Sequence, residues 1–267
     1  MSAVAPGWYP DPWNPGMLRY WNGVAWTPDM AAPQQGSDRM PTLPMRVAVG
    51  GVVALAVPLA ASRFVMRPFS DLPIPAAVYV AVAALLAYGP TLLYWRFASR
   101  RWGSGRLRAD VGLGARLADL GWGPLTWFAC LVTQGLLGYV VTVTKVPFRS
   151  NFDGFGELRS DGSYVAAMVV LAVVIAPVVE EILFRGLILR GLASRMPIAA
   201  AVPVQALLFG AAHFDPGRGL GNIGLVLVLT GVGAVLGIAA AMSKRLTAGM
   251  AAHAMMNGLA MAIALAT

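Results

Sequence analysis

Seven long apolar stretches follow one another along this 267-residue chain after residue 46. They lie at about 47–66, 76–97, 124–144, 164–189, 198–213, 220–242 and 248–266. A helix that crosses a bilayer needs about 20 predominantly apolar residues, and most of the stretches meet this requirement, the one ending at residue 213 being short. The pattern predicts an all-α fold, a polytopic transmembrane helical bundle of about seven helices.

The chain before these stretches has a different pattern. Residues 7–27 read GWYPDPWNPGMLRYWNGVAWT, in which aromatic residues alternate with turn formers. The Arg-Tyr-Trp run followed by Asn-Gly is typical of a β-hairpin. We therefore predict a small aromatic-rich soluble hairpin domain over residues 1–30 and a Pro/Gln/Ser linker over residues 31–45. The transmembrane domain would then occupy residues 46–267.

Composition and charge agree with a membrane protein. The chain is 58% hydrophobic and only 12% charged, whereas soluble domains carry about 25% charged residues. A net charge of +8 could indicate nucleic acid, but most basic residues flank the apolar stretches, which is the pattern of charges that set membrane topology. The lipid bilayer is therefore an expected partner and nucleic acid is not.

The segment between the second and third apolar stretches carries about half of this net charge. It contains six arginines and two aspartates: Arg96, Arg100, Arg101, Arg106, Arg108, Arg116, Asp110 and Asp119. Such an excess of positive charge marks a cytoplasmic segment. Alternation along the chain then predicts a cytoplasmic N-terminus.

Two adjacent acids in the fourth stretch are the first candidates for chemistry. Glu180 and Glu181 are two of only three glutamates in the chain, and a carboxylate in an apolar membrane helix is rarely kept without a partner or a task. Arg185 follows Glu181 at a four-residue spacing and can pair with it. Glu180 is turned about 100° from Glu181 by the helix repeat, so it is predicted to remain free to accept a proton. A purely structural Glu–Arg contact is the alternative.

Both histidines of the chain fall in or beside apolar stretches. His213 follows Phe209 by four residues, and Asn257 follows His253 by four, so each pair shares a helix face. A single membrane histidine is more often a helix-packing residue than a catalyst. The concentration of both histidines, two glutamates and an asparagine in the last part of the chain favours a common polar site.

These residues form three motifs in order, EExxxR, FxxxH and HxxxN, and they resemble the CPBP family of intramembrane glutamic proteases. This is the CAAX-protease and bacteriocin-processing family, also called Abi, which includes type II CAAX prenyl endopeptidases. The resemblance covers about residues 75–267. Residues 7–27 resemble a small bacterial domain of unknown function found ahead of transmembrane segments. Together the two resemblances imply a multi-pass protein of the bacterial plasma membrane.

The family resemblance also implies roles for the motif residues. Glu180 would be the general base that, with His213, holds and activates a water molecule. His253 and Asn257 would donate hydrogen bonds to the developing oxyanion, while Glu181, Arg185 and Phe209 would support the site. The substrate would be a peptide or a membrane protein, lipidated or not, and no cofactor is expected.

Other functions are open at the level of the sequence. Two histidines and a glutamate could bind zinc, although no His-Glu-x-x-His motif is present and asparagine would be an unusual ligand. A non-proteolytic bacteriocin-immunity or scaffold protein could keep the same cluster for stability. A proton-coupled transporter could use intramembrane Glu and His, but the chain shows no internal repeat.

Overall fold

The computed structural model describes residues 4–14, 17–31, 40–69, 73–151 and 160–266. The chain divides into two compact units, Met1–Met40 and Pro41–Thr267. The first contains a small sheet and the second contains the helices. Helices make up most of the chain. This confirms the predicted class, a helical bundle that follows a small aromatic domain in the sequence.

The N-terminal unit is a three-stranded antiparallel sheet of β1 (Gly7–Pro10), β2 (Leu18–Trp21) and β3 (Trp26–Ala31). The predicted hairpin is the β2–β3 pair. Asn22 builds its turn, because its side-chain oxygen accepts hydrogen bonds from the backbone of Val24 and Ala25, and Gly23 takes a φ of 96° that favours glycine. The sequence did not predict the additional strand β1.

Aromatic rings hold this sheet together. Trp8 packs edge-on against Tyr20, Tyr9 against Trp26, and Trp21 against Trp26, with ring centroids 5.3–6.2 Å apart. Such edge-to-face pairs contribute about 0.5–1.5 kcal/mol each beyond the area they bury. A sheet this small can therefore hold together without a large aliphatic core.

The helical unit contains seven apolar helices and one short helix in its described part. They are α1 (Met45–Met66), α2 (Ala76–Trp102), α3 (Leu107–Val111, short), α4 (Asp119–Val143), α5 (Gly162–Leu192), α6 (Ile198–Ala212), α7 (Asn222–Ser243) and α8 (Thr247–Ala266). Six are long and apolar enough to cross a membrane, and α6 is the shorter one. The predicted apolar stretches therefore correspond one to one with these helices.

Helix α5 is the centre of the bundle. Every residue from 179 to 192 is buried, whereas most apolar residues of α1, α2 and α4 are exposed or half-buried, as in helices that face lipid. Around α5, α1 packs against α2, α6 against α7, and α4 against both α7 and α8. The polar residues of α5 are thus shielded on all sides by apolar helices.

Helix α5 changes register twice. Val170–Ile175 and Ile182–Ile188 are π-helical, and the α-helical segment Ala176–Glu181 lies between them. Pro177, which has no N–H to donate, is the second residue of this α-helical segment and directly follows the first π-helical turn. Such turns are often found at functional sites.

One end of the bundle is held by two arginines. Arg190 is buried and donates to the carbonyl oxygens of Pro41 (3.0 Å) and Lys244 (2.9 Å). Arg245 binds both carboxylate oxygens of Asp119 at 2.7–3.1 Å, joining the start of α4 to the α7–α8 turn. The segment before α4, which the sequence assigned to the cytoplasm, thus meets the α7–α8 turn at one end of the bundle.

The segment between α2 and α4 is ordered by Asp110. Its carboxylate accepts from the Ser104 hydroxyl at 2.6 Å, from the Ser104 backbone at 2.9 Å and from the Ser99 hydroxyl. Burial raises the pKa of Asp110, but these hydrogen bonds outweigh it and hold the pKa below its usual value. Asp110 therefore works as a structural acceptor at the end of α2.

Removing residues 1–40 is expected to leave the helical unit folded, because these residues form their own compact unit. The truncated protein should insert into membranes, elute as a single species in detergent, and melt within a few degrees of the full chain. Thermal unfolding of the two purified proteins measures this. Failure of the truncated chain to insert would show that the N-terminal unit is needed for folding.

Candidate active site

The carboxylate of Glu180 lies at the centre of a polar cluster inside the bundle. Glu180 is 8% exposed. One of its carboxylate oxygens, Oε1, accepts a hydrogen bond of 2.7 Å from the hydroxyl of Tyr88 on α2. The other oxygen, Oε2, is buried and has no hydrogen-bond partner among the described residues. A buried carboxylate oxygen without a partner is costly, so this atom is a candidate for chemistry.

Two imidazoles face this oxygen. Nε2 of His213 lies 3.9 Å and Nε2 of His253 lies 3.8 Å from Oε2 of Glu180. These separations are too long for direct hydrogen bonds but suit a water molecule that contacts all three atoms. The three side chains thus surround one position for a small polar molecule.

His213 is oriented by its own helix. It directly follows α6, and its Nδ1 lies 2.8 Å from the carbonyl oxygen of Phe209. A carbonyl oxygen can only accept, so Nδ1 carries the hydrogen. In the neutral ring Nε2 is then an acceptor, and this is the nitrogen that faces Glu180.

Glu181 binds two partners at once. Its Oε1 accepts from Nη1 of Arg185 at 2.8 Å and lies 3.2 Å from Nδ1 of His253. The Glu181–Arg185 pair is fully buried, which confirms the pairing predicted from the four-residue spacing. The contact with His253 was not predicted. Glu181 approaches α8 closely because position 249 is glycine, where a Cβ atom would lie 2.9 Å from its Oε2.

Phe209 packs against the polar groups. Its ring centroid is 4.9 Å from that of His213 and 5.7 Å from that of His253. The guanidinium of Arg185 lies 4.5 Å from the same centroid, a cation–π distance. Phe209 is 1% exposed and therefore fixes the positions of both imidazoles and of the buried cation.

Asn257 is anchored by the irregular part of α5. Its Nδ2 donates to the carbonyl oxygen of Ala172 at 2.7 Å. In the π-helical turn, where an N–H bonds to the carbonyl five residues earlier, the N–H of Ala176 donates to the carbonyl oxygen of Leu171. In the same register, the carbonyl of Ala172 would accept from residue 177, which is a proline and has no N–H. The carboxamide therefore satisfies a carbonyl that Pro177 leaves without a backbone donor. One of the two N–H groups of Asn257 is used in this way.

All four predicted catalytic residues line one cavity of about 280 Å³. Its polar lining residues are Glu180, His213, His253, Asn257, Tyr88, Gln134, Ser150 and Asn151, and its apolar lining includes Leu171, Leu225, Val228, Val232 and Met256. The cavity is large enough for a water molecule and part of a peptide chain. Its arrangement, a carboxylate and imidazoles in an apolar enclosure, suits acid–base chemistry on a bound amide.

The sequence left one geometric difficulty, which the structure resolves. If helices alternate across the membrane, His213 and His253 should lie at different depths. However, α6 has only 15 residues, a length of about 22 Å, so His213 lies well inside the bundle. His253 is the seventh residue of α8, about two turns inward from its start. The two imidazoles consequently meet at Glu180.

Tyr88 is the site residue that sequence reasoning missed. It belongs to none of the three motifs and lies 92 residues before Glu180. The sequence does not single it out, because the same apolar stretch also contains the hydroxyl groups of Tyr79, Thr91 and Tyr94. As for metals, no group of three or more His, Cys, Asp or Glu side chains in the described ranges is arranged to hold an ion.

Comparison with known protein families gives two matches along the chain. Residues 162–259 match the family described as type II CAAX prenyl endopeptidase Rce1-like, and residues 6–39 match DUF2510, a family of unknown function. No curated protein and no solved structure matches the chain significantly. The family match covers every motif residue from Glu180 to Asn257, and it confirms the resemblance that the motifs predicted. The chain is therefore a multi-pass membrane protein whose residues 162–259 match the Rce1-like CAAX prenyl endopeptidase family and whose residues 6–39 match DUF2510.

Proposed function

We propose that this protein is an intramembrane glutamic endopeptidase, in which Glu180 activates the water that hydrolyses a peptide bond. The observation that carries the proposal is the buried Oε2 of Glu180, which has no hydrogen-bond partner among the described residues and lies 3.8 Å and 3.9 Å from two imidazole Nε2 atoms. A water molecule at this position can give its proton to the carboxylate and direct its lone pair to a substrate carbonyl.

The reaction begins when this water attacks the scissile carbonyl carbon. A C–O bond forms, Glu180 takes the proton, and the carbonyl oxygen becomes an oxyanion. His213 accepts a hydrogen bond from the water through Nε2 and holds it for attack. The proton on Glu180 then passes to the departing amine nitrogen as the C–N bond breaks, which leaves a carboxylic acid and an amine.

His253 and Asn257 are proposed to stabilise the oxyanion. Nδ1 of His253 donates to Glu181, so donation from Nε2 as well requires the protonated ring, whose charge the Glu181 carboxylate balances. Asn257 uses one N–H for Ala172 and offers the other to the oxyanion. Such fixed donors are often the largest single contribution to catalysis of acyl transfer.

Replacing Asn257 by alanine is expected to raise the activation free energy by about 2.7–4 kcal/mol, the effect of removing one oxyanion donor. The measurement is kcat/KM on a cleaved peptide. Thermal unfolding separates the structural effect, since the lost bond to Ala172 should cost only about 1–3 kcal/mol of stability. A rate equal to that of the wild type would remove Asn257 from the oxyanion site.

The proposed substrates are peptides or membrane proteins that reach the cavity within the bilayer, lipidated or not, and nucleic acid has no proposed role. We place the protein in the bacterial plasma membrane with its N-terminus in the cytoplasm, because the arginine-rich segment after α2 indicates a cytoplasmic loop. Accessibility of single cysteines placed in residues 4–14 and 145–151 to a membrane-impermeant reagent in whole cells tests this orientation. Labelling of the first segment from outside would contradict it.

The direct test of the activity uses purified protein in lipid nanodiscs with libraries of quenched peptides, with and without a prenylated cysteine. Mass spectrometry of the products should show new carboxyl and amino termini. A non-proteolytic immunity or scaffold protein would cleave neither library and would bind its partner equally well without Glu180.

A further inference from the structure

The hydroxyl of Tyr88 is the only side-chain donor from α2 to the cavity among the described residues. Most of the membrane-facing part of α2 is exposed, with Val82, Leu85 and Leu92 40–70% accessible. Tyr88 is half-buried and turns inward to the Glu180 carboxylate, at 2.7 Å from Oε1. This is the short distance typical of a hydroxyl that donates to a carboxylate.

We infer that Tyr88 is a positioning residue for Glu180: by holding Oε1, it makes Oε2 the oxygen that receives the proton of the catalytic water. The inference rests on the proposed function. It assigns a role to a residue outside the three motifs and outside the matched family region, which begins at residue 162.

The hydrogen bond makes the two carboxylate oxygens unequal. The terminal torsion of a glutamate is broad and roughly two-fold, so a free carboxylate rotates easily and exchanges its oxygens. With Oε1 bound to Tyr88, rotation would break a charge-assisted hydrogen bond. Oε2 therefore stays directed at the gap between His213 and His253, where it lies 3.9 Å and 3.8 Å from the two Nε2 atoms.

No other described side chain replaces this contact. Arg185 and His253 direct their bonds to Glu181 instead, and His213 uses Nδ1 for the carbonyl of Phe209. Loss of the Tyr88 hydroxyl would therefore leave both oxygens of Glu180 without a hydrogen-bond donor in the described structure. Misplacement of the reacting group by a fraction of an ångström is expected to lower the rate.

The ring of Tyr88 has a separate effect, which decides the choice of substitution. It lines the polar cavity on one side and, on the other, an apolar cleft of about 500 Å³ between α2 and α5. Alanine at position 88 would remove the ring and join the two spaces. Phenylalanine keeps the ring and removes only the hydroxyl, so it isolates the hydrogen bond.

The test compares Tyr88→Phe with the wild type and Glu180→Gln on the same peptide. The expected result is a kcat lower by about tenfold to 10²-fold, a KM within about twofold, and an unchanged melting temperature. Tyr94→Phe is the matched control, because the Tyr94 hydroxyl on the same helix donates to the backbone carbonyls of Arg46 and Val47 in α1. This control should keep the wild-type kcat.

A second readout does not depend on turnover. The infrared difference spectrum of wild type minus Glu180→Gln isolates the carboxyl band of Glu180, and Tyr88→Phe should shift this band while Tyr94→Phe leaves it in place. If Glu180→Gln is inactive but Tyr88→Phe keeps the wild-type kcat and an unshifted band, the inference is overturned and the proposed function stands. If Glu180→Gln is fully active, both are wrong.

Discussion

Glu180→Gln is expected to abolish peptide hydrolysis while the bundle stays folded. Glutamine has nearly the same shape, and its amide oxygen can still accept the Tyr88 hydroxyl in place of Oε1. It cannot take a proton from water at neutral pH. General-base catalysis contributes about 10²–10⁴ in rate, so activity should fall by at least this factor, below detection in most peptide assays.

The same variant should have the melting temperature of the wild type or a slightly higher one. The wild-type carboxylate is buried, and one of its oxygens has no hydrogen-bond partner in the described part of the chain. A neutral amide removes the cost of burying that charge. Thermal unfolding in nanodiscs, measured beside the hydrolysis assay, separates loss of chemistry from loss of fold. A folded Glu180→Gln protein that cleaves at the wild-type rate would refute the proposed mechanism.

Arg185→Ala is expected to have the largest effect on stability. The guanidinium is fully buried, where Nη1 pairs with Glu181 at 2.8 Å and Nη2 donates to the carbonyl of Gly233 at 3.1 Å. Its removal leaves the buried Glu181 with His253 as its remaining charged partner and opens a cavity beside Phe209. Breaking a buried ion pair from one side costs about 3–5 kcal/mol, so yield and melting temperature should fall sharply.

Arg195→Ala is the matched control, because Arg195 lies just after α5 and is exposed. The same truncation there should change stability by less than about 0.5 kcal/mol. Denaturation of both variants in one detergent makes the comparison. A stable but inactive Arg185→Ala protein would instead place Arg185 in the chemistry, with the oxyanion as its natural target.

The helices could be predicted because apolar length is a property of the sequence alone. The ends were less accurate: α2 continues beyond residue 97 to Trp102 through Arg100 and Arg101, and α4 begins at Asp119 rather than at residue 124. Hydrogen bonds decide both where α2 ends and where α4 begins. Asp119 is held by Arg245, 126 residues away, and no local pattern contains that information.

The site was predictable where its geometry is local and unpredictable where it is not. The Glu181–Arg185 pair follows from a four-residue spacing on one helix. The bonds of Tyr88 to Glu180 and of His253 to Glu181 join separate helices, so only packing reveals them. The bond from Asn257 to Ala172 depends on the π-helical register beside Pro177, which hydrophobic patterning does not report.

The central claim is that Glu180, and not a bound metal, activates the water. One measurement tests it most directly: cleavage of the same quenched peptide by wild-type protein and by Glu180→Gln, each with and without a strong chelator. The account predicts full wild-type activity in the chelator and no activity in the variant under either condition. Wild-type activity that the chelator removes and added zinc restores would contradict it and assign the histidines to a metal.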